Sequence, residues 1–437
     1  MIFVFYFFAA ILVWLSLKSF LGGIAYLKFF REQLAKPGSD HTPFATIIVP
    51  CRGLDKSLDE NLAAFLKQDY PQYEVIFVVD DKNDPAVAVI ESILSRNDDK
   101  GQTDFKQDIQ GEQDSNSDYA GGSTYHVHLV HPVKINAKFV IARKAQYSSQ
   151  KVENLREAVL HVSDQSQVFV FADSDARPST DWLRALVAPL ADENVGAATG
   201  YRWFIAKHPT FGSELRSAWN ASITSALGPN IKSNFCWGGS MAMRRDIFER
   251  LEMREKWSGV LSDDFAVTRT VKAAGLSIIF VPQALTATVE DCTLRETVEF
   301  TTRQMKITRV YATPLWVVSL IGTTIFNAVL IAALLIVILS KTNSVAVWAS
   351  LATLILVTVF STGKAWLRLN AVRLVLPQYD AELRRQFWTQ NTLWLIAPSL
   401  FLYNSLAAWA SRRMIWRGIT YELKSPAETV IIARDDA

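Results

Sequence analysis

A chain of 437 residues has room for one large domain with something added, or for two. Half of its residues are hydrophobic, a high share for a protein that lives wholly in water. The formal charge of +2 excludes a polyanion binder driven by bulk electrostatics, so no nucleic-acid partner is expected. Cys51, Cys236 and Cys292 are too few and too scattered for a disulfide framework or a zinc site, and point to a reducing compartment.

The apolar surplus lies at the two ends. Residues 1–30 open with a predominantly apolar run to Tyr26, long enough to cross a hydrocarbon core of about 30 Å. The run has no basic leader and no small-residue cleavage site, so a retained transmembrane helix is expected rather than a signal peptide. Lys18 inside it must snorkel or face protein. Lys28, Arg31 and Lys36 follow and favour a cytoplasmic position for the next domain.

That domain, residues 42–313, alternates short β-branched runs with amphipathic helical segments. "ATIIVP" (45–50), "EVIFVV" (74–79), "HVHLV" (126–130), "QVFVFA" (167–172) and "VGAATG" (195–200) suit buried strands. "LDENLAAFLKQ", "NLREAVLHV" and "TDWLRALVAPL" suit the helices between them. The pattern predicts an α/β fold with a mostly parallel sheet flanked by helices, whose ligands bind beyond the carboxyl ends of the strands. Residues 97–123 are acidic and polar with almost nothing to bury, and are expected to form a disordered insert. His126 and His128 share a strand face but have no carboxylate or cysteine partner at metal-binding spacing.

After Thr313 come two clear transmembrane runs within 314–363. A third apolar segment, 386–411, has Pro398 in its middle and basic residues on both flanks, which suggests a re-entrant or interfacial hairpin. Residues 412–437 remain as a tail, and the tryptophans near these segments suit an interfacial belt.

Four groups fall on the predicted rim. "VVDDKNDPA" places Asp80, Asp81 and Asp84 after a strand, where they can accept hydrogen bonds from a ligand or cap the next helix. "FADSDARP" ends a buried run on Asp173 and Asp175, one residue apart. Such a pair can share a hard cation with a diphosphate, or simply form a turn and a helix cap. "GGSMAMRRD" brings Gly238 and Gly239, which permit close backbone approach. "LSDDFAVTRTVKAAG" begins a helix on Asp263 and Asp264, suited to the helix dipole or to general-base work. "EFTTRQMKITRVY" carries Arg303, Gln304, Lys306 and Arg309, either a topological charge cluster or a cationic face for a leaving group.

The ordered set resembles the membrane-bound, family-two-like glycosyltransferases of GT-A fold, and within them the ceramide glucosyltransferases. The stretches that carry it are "IIVPCRGLDKSLDENLAAFLKQDYPQYEVIFVVDDKNDPA", "KVENL", "FADSDARP", "GGSMAMRRDIF", "LSDDFAVTRTVKAAG" and "FTTRQMKITRVY". The resemblance implies that Asp81 and Asp84 contact the nucleotide and that Lys151 and Asn154 belong to the donor pocket. It further implies that Asp173 and Asp175 hold Mg²⁺ or Mn²⁺ and that Asp264 is the catalytic base. Gly239, Asp263 and Gln304 join Asp81, Asp84, Lys151 and Asp173 in the expected substrate-binding set. Arg303 matches the arginine of a (Q/R)xxRW motif, with Phe300 in its first position and Gln304 where tryptophan is usual. The implied activity is inverting transfer of a sugar, glucose by resemblance, from a UDP-sugar donor to a membrane lipid acceptor such as ceramide. A multi-pass integral membrane protein with a cytoplasmic catalytic domain follows. A processive polysaccharide synthase, a polyprenyl-phosphate glycosyltransferase and a non-catalytic membrane scaffold remain as alternatives.

Overall fold

The computed structural model describes residues 2–97, 135–340 and 344–435. Nearly all of the acidic insert and the whole of the "HVHLV" strand lie outside the described residues.

Among the described residues nine strands belong to the α/β region: β1 Ala45–Pro50, β2 Tyr73–Val79, β3 Asn136–Ile141, β4 Val168–Ala172, β5 Val195–Thr199, β6 Arg202–Ile205, β7 Ser240–Arg244, β8 Ser277–Phe280 and β9 Thr286–Val289. Seven of them form one sheet in the order β3-β2-β1-β4-β7-β5-β8, and β6 and β9 form a parallel pair beside it. Only β7 runs against its neighbours β4 and β5; the other pairings in the sheet are parallel. The expected mostly parallel α/β sheet is therefore what forms.

Every residue of β1, β2 and β4 is buried, as continuous apolar runs require when both faces are covered. Ile48, Ile76, Val78, Phe169 and Phe171 face Val152, Leu155, Trp257 and Val267 on one side. Ile47, Val49, Phe77, Val79 and Val170 face the other, and that core also takes in Tyr26, Phe29 and Phe30 of the N-terminal helix. Leu367, Ala371 and Val372 join the same core, so the apolar helices at both ends of the chain are packed into the α/β domain.

Among the described residues three helices, Ile2–Leu34, Thr313–Leu339 and Val345–Val375, are long and apolar enough to cross a membrane. Lys18 sits over the Trp14 ring, 4.1 Å from its centroid. The third apolar segment is broken: Phe387–Leu395 and Ala397–Ala410 meet at 55°. Pro398 falls in the first turn of the second piece, where it needs no backbone donor.

Residues beyond 412 are more than a tail. Arg413–Trp416 (β10), Ile419–Ser425 (β11) and Glu428–Arg434 (β12) make an antiparallel sheet that packs against the α/β domain. Leu261 and Ile307 share its small core with Met414, Tyr421 and Leu423.

Candidate active site

Parallel strands deliver their following residues to one rim. Arg52 follows β1, Asp80 follows β2, and Asp173-Ser174-Asp175 follows β4. Because β7 runs antiparallel in register Ala172↔Ser240, Gly238 and Gly239 arrive beside Asp173 from the opposite direction. A Cβ on Gly239 would stand 2.7 Å from Asp173 Oδ2 and 2.1 Å from the Trp237 ring, and one on Gly238 would be 2.2 Å from Asp263 Oδ2. These glycines make room for two carboxylates.

A cavity of about 340 Å³ opens at this rim, lined among others by Lys151, Asp173, Asp175, Arg202, Arg303 and Gln304. Lys151 reaches it because Ser149 caps the helix Gln150–Ala158, accepting a hydrogen bond from the Val152 N–H. The helix thus starts four residues ahead of the "NLREAVLHV" expectation and carries Lys151 in its first turn. Lys151 Nζ lies 2.7 Å from Asp173 Oδ1 and 3.1 Å from Asp263 Oδ1. Arg202, first residue of β6, spans the acidic pair, with Nη1 3.2 Å from Asp175 and Nη2 3.7 Å from Asp173.

The charges respond to this crowding. Burial opposes ionisation of Asp173, but Lys151 and Arg202 outweigh it and hold the carboxyl below the usual range. Asp175 is pushed up to about 6, by burial first, against Arg202 and with the help of Asp173. Asp263 also rises to about 6, through burial, against Lys151 and with Asp264 beside it. Burial likewise works against the Lys151 charge, yet Asp173 and Asp263 keep it firmly cationic. Asp175 Oδ1 and Asp263 Oδ2 are buried with no hydrogen-bond partner among the described residues. The orphaned Asp175 oxygen, two residues from Asp173 on the same cavity wall, suits a hard cation, which takes one or two carboxylates and fills its remaining positions with phosphate and water. Among the described residues no three His, Cys, Asp or Glu side chains converge as a complete metal cage.

The other expected site residues divide. Asp264 accepts from the Gly238 N–H at 3.3 Å and the Phe265 N–H at 2.7 Å, and from the Ser262 hydroxyl, next to the Lys151–Asp263 pair. Asn154 lines the cavity. Asp81 and Asp84 are not brought to it. Asp84 accepts from the Gly53 and Ala86 N–H groups and pins the loop after β1. Asp81 is half-buried, accepts from the Asn83 N–H, and lies 3.6 Å from Lys144. The carboxylate turned inward is Asp80, fully buried between Arg52 and Arg434. A one-residue step after a strand reverses direction, so adjacent aspartates diverge.

The helix Leu294–Tyr311, opened by a Thr293/Glu296 capping box, presents Phe300, Arg303 and Gln304 to the cavity. Glu299 pairs with Arg295 at 2.9 Å instead of Arg303. Lys306 and Arg309 turn away, donating to the carbonyls of Arg413, Ala408 and Trp409. Arg303 makes no ion pair with a described residue; it lies against the rings of Phe300 and Trp416, 5.4 and 5.7 Å from their centroids. Arg202, Trp416 and Arg417 are site-lining residues that the sequence reading did not pick out. Arg202 stands in no recognisable spacing; Arg417-Gly418 between two alternating runs is a hairpin signal that could have been followed.

The family model of glycosyl transferase family 21 matches residues 11–99 and 127–428, which is most of the chain. The chain belongs to glycosyl transferase family 21. Its likeness to curated relatives is local. A ceramide glucosyltransferase of Komagataella phaffii is 28% identical over 80 residues, 18% of this chain and 16% of that protein. One from Gibberella zeae is 36% identical over 80 residues, 17% and 15% of the two lengths. The family 21 chain thus spans about one-sixth of these relatives' length. Among solved structures, a mannosyltransferase from Pyrobaculum calidifontis in complex with GDP-Man and Mn2+ is similar at 18% identity and a TM-score of 0.43, covering 92% of this chain and 98% of that one.

Proposed function

We propose that this family 21 protein transfers glucose from UDP-glucose to the hydroxyl of a membrane lipid, with ceramide as the acceptor, inverting the anomeric carbon. The observation that supports this most is convergence. Lys151, Asp173, Asp175 and Arg303, drawn from three distant segments, line one cavity; Asp263 lies 3.1 Å from Lys151 and Asp264 accepts from the Gly238 N–H, although neither carboxylate is itself a lining residue.

The acidic pair is suited to the donor's diphosphate end. Mg²⁺ or Mn²⁺ bound at Asp173 and Asp175 would neutralise charge on the diphosphate. Lys151, fixed between two carboxylates, keeps Asp173 ionised and oriented. Arg303, without a carboxylate of its own, stabilises the negative charge that grows on the departing β-phosphate. Asp264 takes the acceptor hydroxyl proton as that oxygen bonds to the anomeric carbon. The bond from that carbon to UDP breaks, and its electron pair leaves with the phosphate. Proton transfer of this kind contributes on the order of 10²–10⁴ in rate.

The apolar helices hold the rim at headgroup level, so a lipid hydroxyl arrives without leaving the bilayer. The bent pair is re-entrant in this reading. It starts beside the α/β domain, where Thr389 bonds Glu214, and ends beside β10, which returns to the same domain. The basic residues after the first helix favour a cytoplasmic catalytic domain.

Membranes containing the protein, incubated with labelled UDP-glucose, UDP-galactose or UDP-GlcNAc, should yield one labelled lipid, from UDP-glucose. Absence of a lipid product from all three donors would overturn the proposal.

A further inference from the structure

The tip of the β10–β11 hairpin is built against backbone preference. Arg417 and Gly418 both have positive φ, 52° and 72°, the pattern of a two-residue type I′ turn. Asn-Gly or Asp-Gly is the usual occupant, because asparagine and aspartate tolerate the left-handed region far better than arginine does. Strain held at one residue is a reason to ask what its side chain does.

That side chain lines the cavity already described, with Asp175 and Arg303 among its co-lining residues. Its guanidinium pairs with Asp55. The other Asp55 oxygen accepts from the Ser174 hydroxyl at 2.7 Å, so the hairpin tip is tied to the middle residue of the Asp173–Asp175 turn. Arg52 Nε donates to the Arg417 carbonyl at 3.0 Å and fixes the tip from beneath. Farther along, the Tyr421 hydroxyl accepts from the Gln150 N–H at 3.1 Å. Arg434 donates to Gln150 at 2.9 Å and to the Ala145 carbonyl at 2.9 Å. The three-stranded sheet is a clamped wall of the cavity.

Five guanidiniums line the cavity, those of Arg52, Arg202, Arg216, Arg303 and Arg417, and of these Arg202, Arg303 and Arg417 bear directly on one another. Their mutual repulsion shows at Arg303, lowered to about 10 by burial and next by Arg417 and Arg202. An anion bound among them relieves that repulsion.

We propose that Arg417 is a donor-binding residue: from the hairpin tip, and at a cost in backbone strain, it supplies a guanidinium to the diphosphate of the nucleotide sugar. Trp416, the residue before it, lies with its ring against the Arg303 guanidinium, 5.7 Å from the ring centroid. The inference rests on the reading of the cavity as a diphosphate site.

The test separates anion binding from a structural role. Asparagine relieves the left-handed strain, so Arg417→Asn keeps the hairpin while removing the guanidinium. With full-length protein in detergent, the variant should bind UDP about tenfold to a hundredfold more weakly, the effect of one lost charge-assisted hydrogen bond. Its thermal midpoint should be unchanged or higher, and its affinity for uridine, which carries no phosphate, should not move. Arg417→Lys should recover part of the UDP affinity. Wild-type UDP affinity in Arg417→Asn, alongside weakened binding in Arg303→Ala, would refute Arg417 and leave the cavity reading intact. Equal losses for UDP and uridine with a lowered midpoint would make Arg417 a hairpin anchor and refute it as well. Failure of the wild-type protein to bind UDP at all would overturn both readings.

Discussion

Asp263→Asn is expected to alter how stability depends on pH. The side chain is buried, 3.1 Å from Lys151, and one of its oxygens has no partner among the described residues. Its pKa rises from 3.8 to about 6, through burial first and then through the balance of Lys151 against Asp264 and Asp173. A carboxyl raised in the folded state binds its proton more tightly there than in the unfolded chain. The resulting stability is fully present below about pH 4 and is lost as pH rises through 6. At roughly 1.4 kcal/mol per pH unit, the rise amounts to about 3 kcal/mol. The Lys151 attraction is already contained in that figure. Asparagine does not titrate, so the stability of the variant relative to wild type should improve by about 3 kcal/mol between pH 4 and pH 8. Thermal unfolding in detergent with EDTA at both pH values measures this as a change of several degrees in the gap between midpoints. A gap independent of pH, or one moving in the wild type's favour, would mean that Lys151 fully compensates an ionised Asp263 and would refute the reasoning.

Asp264→Asn should bind UDP-glucose nearly as well as wild type yet lose at least 10²-fold in transfer rate; near-normal turnover would remove Asp264 from the base role. EDTA should abolish transfer and added Mn²⁺ should restore it, measured as labelled lipid; full activity in chelator would give Asp173 and Asp175 another task. Gly239→Ala must displace the Trp237 ring or the Asp173 carboxylate. It should cost about 1–3 kcal/mol of stability, and labelled-lipid synthesis should drop sharply; a variant matching wild type in both would contradict the packing described.

Much of the α/β domain could be read from local pattern. β1, β2 and β4 are short β-branched runs bounded by turns, and their burial on both faces removes the alternation that would confuse them with surface strands. The rim followed from topology: parallel strands end together, so Asp173 and Asp175 could be placed without knowing their neighbours. What the pattern could not supply was direction after the strand, and so Asp81 and Asp84 were expected where Asp80 turns inward. Nor could it supply partners set by long-range folding. Arg202 joins the acidic pair only because β6 and β9 form a separate small sheet beside it. Arg417 was counted with Arg412 and Arg413 as a marker of topology, which is the ordinary meaning of basic residues beside an apolar helix.

The wall formed by β10–β12 follows the described apolar helices in the chain and is therefore translated after them. Until that segment emerges and docks, the cavity lacks Trp416, Arg417 and Tyr421 on one flank. Completion of the cavity is therefore coupled to completion of the apolar helices. A nascent or truncated chain that stops within the apolar helices carries an open, unfinished cavity.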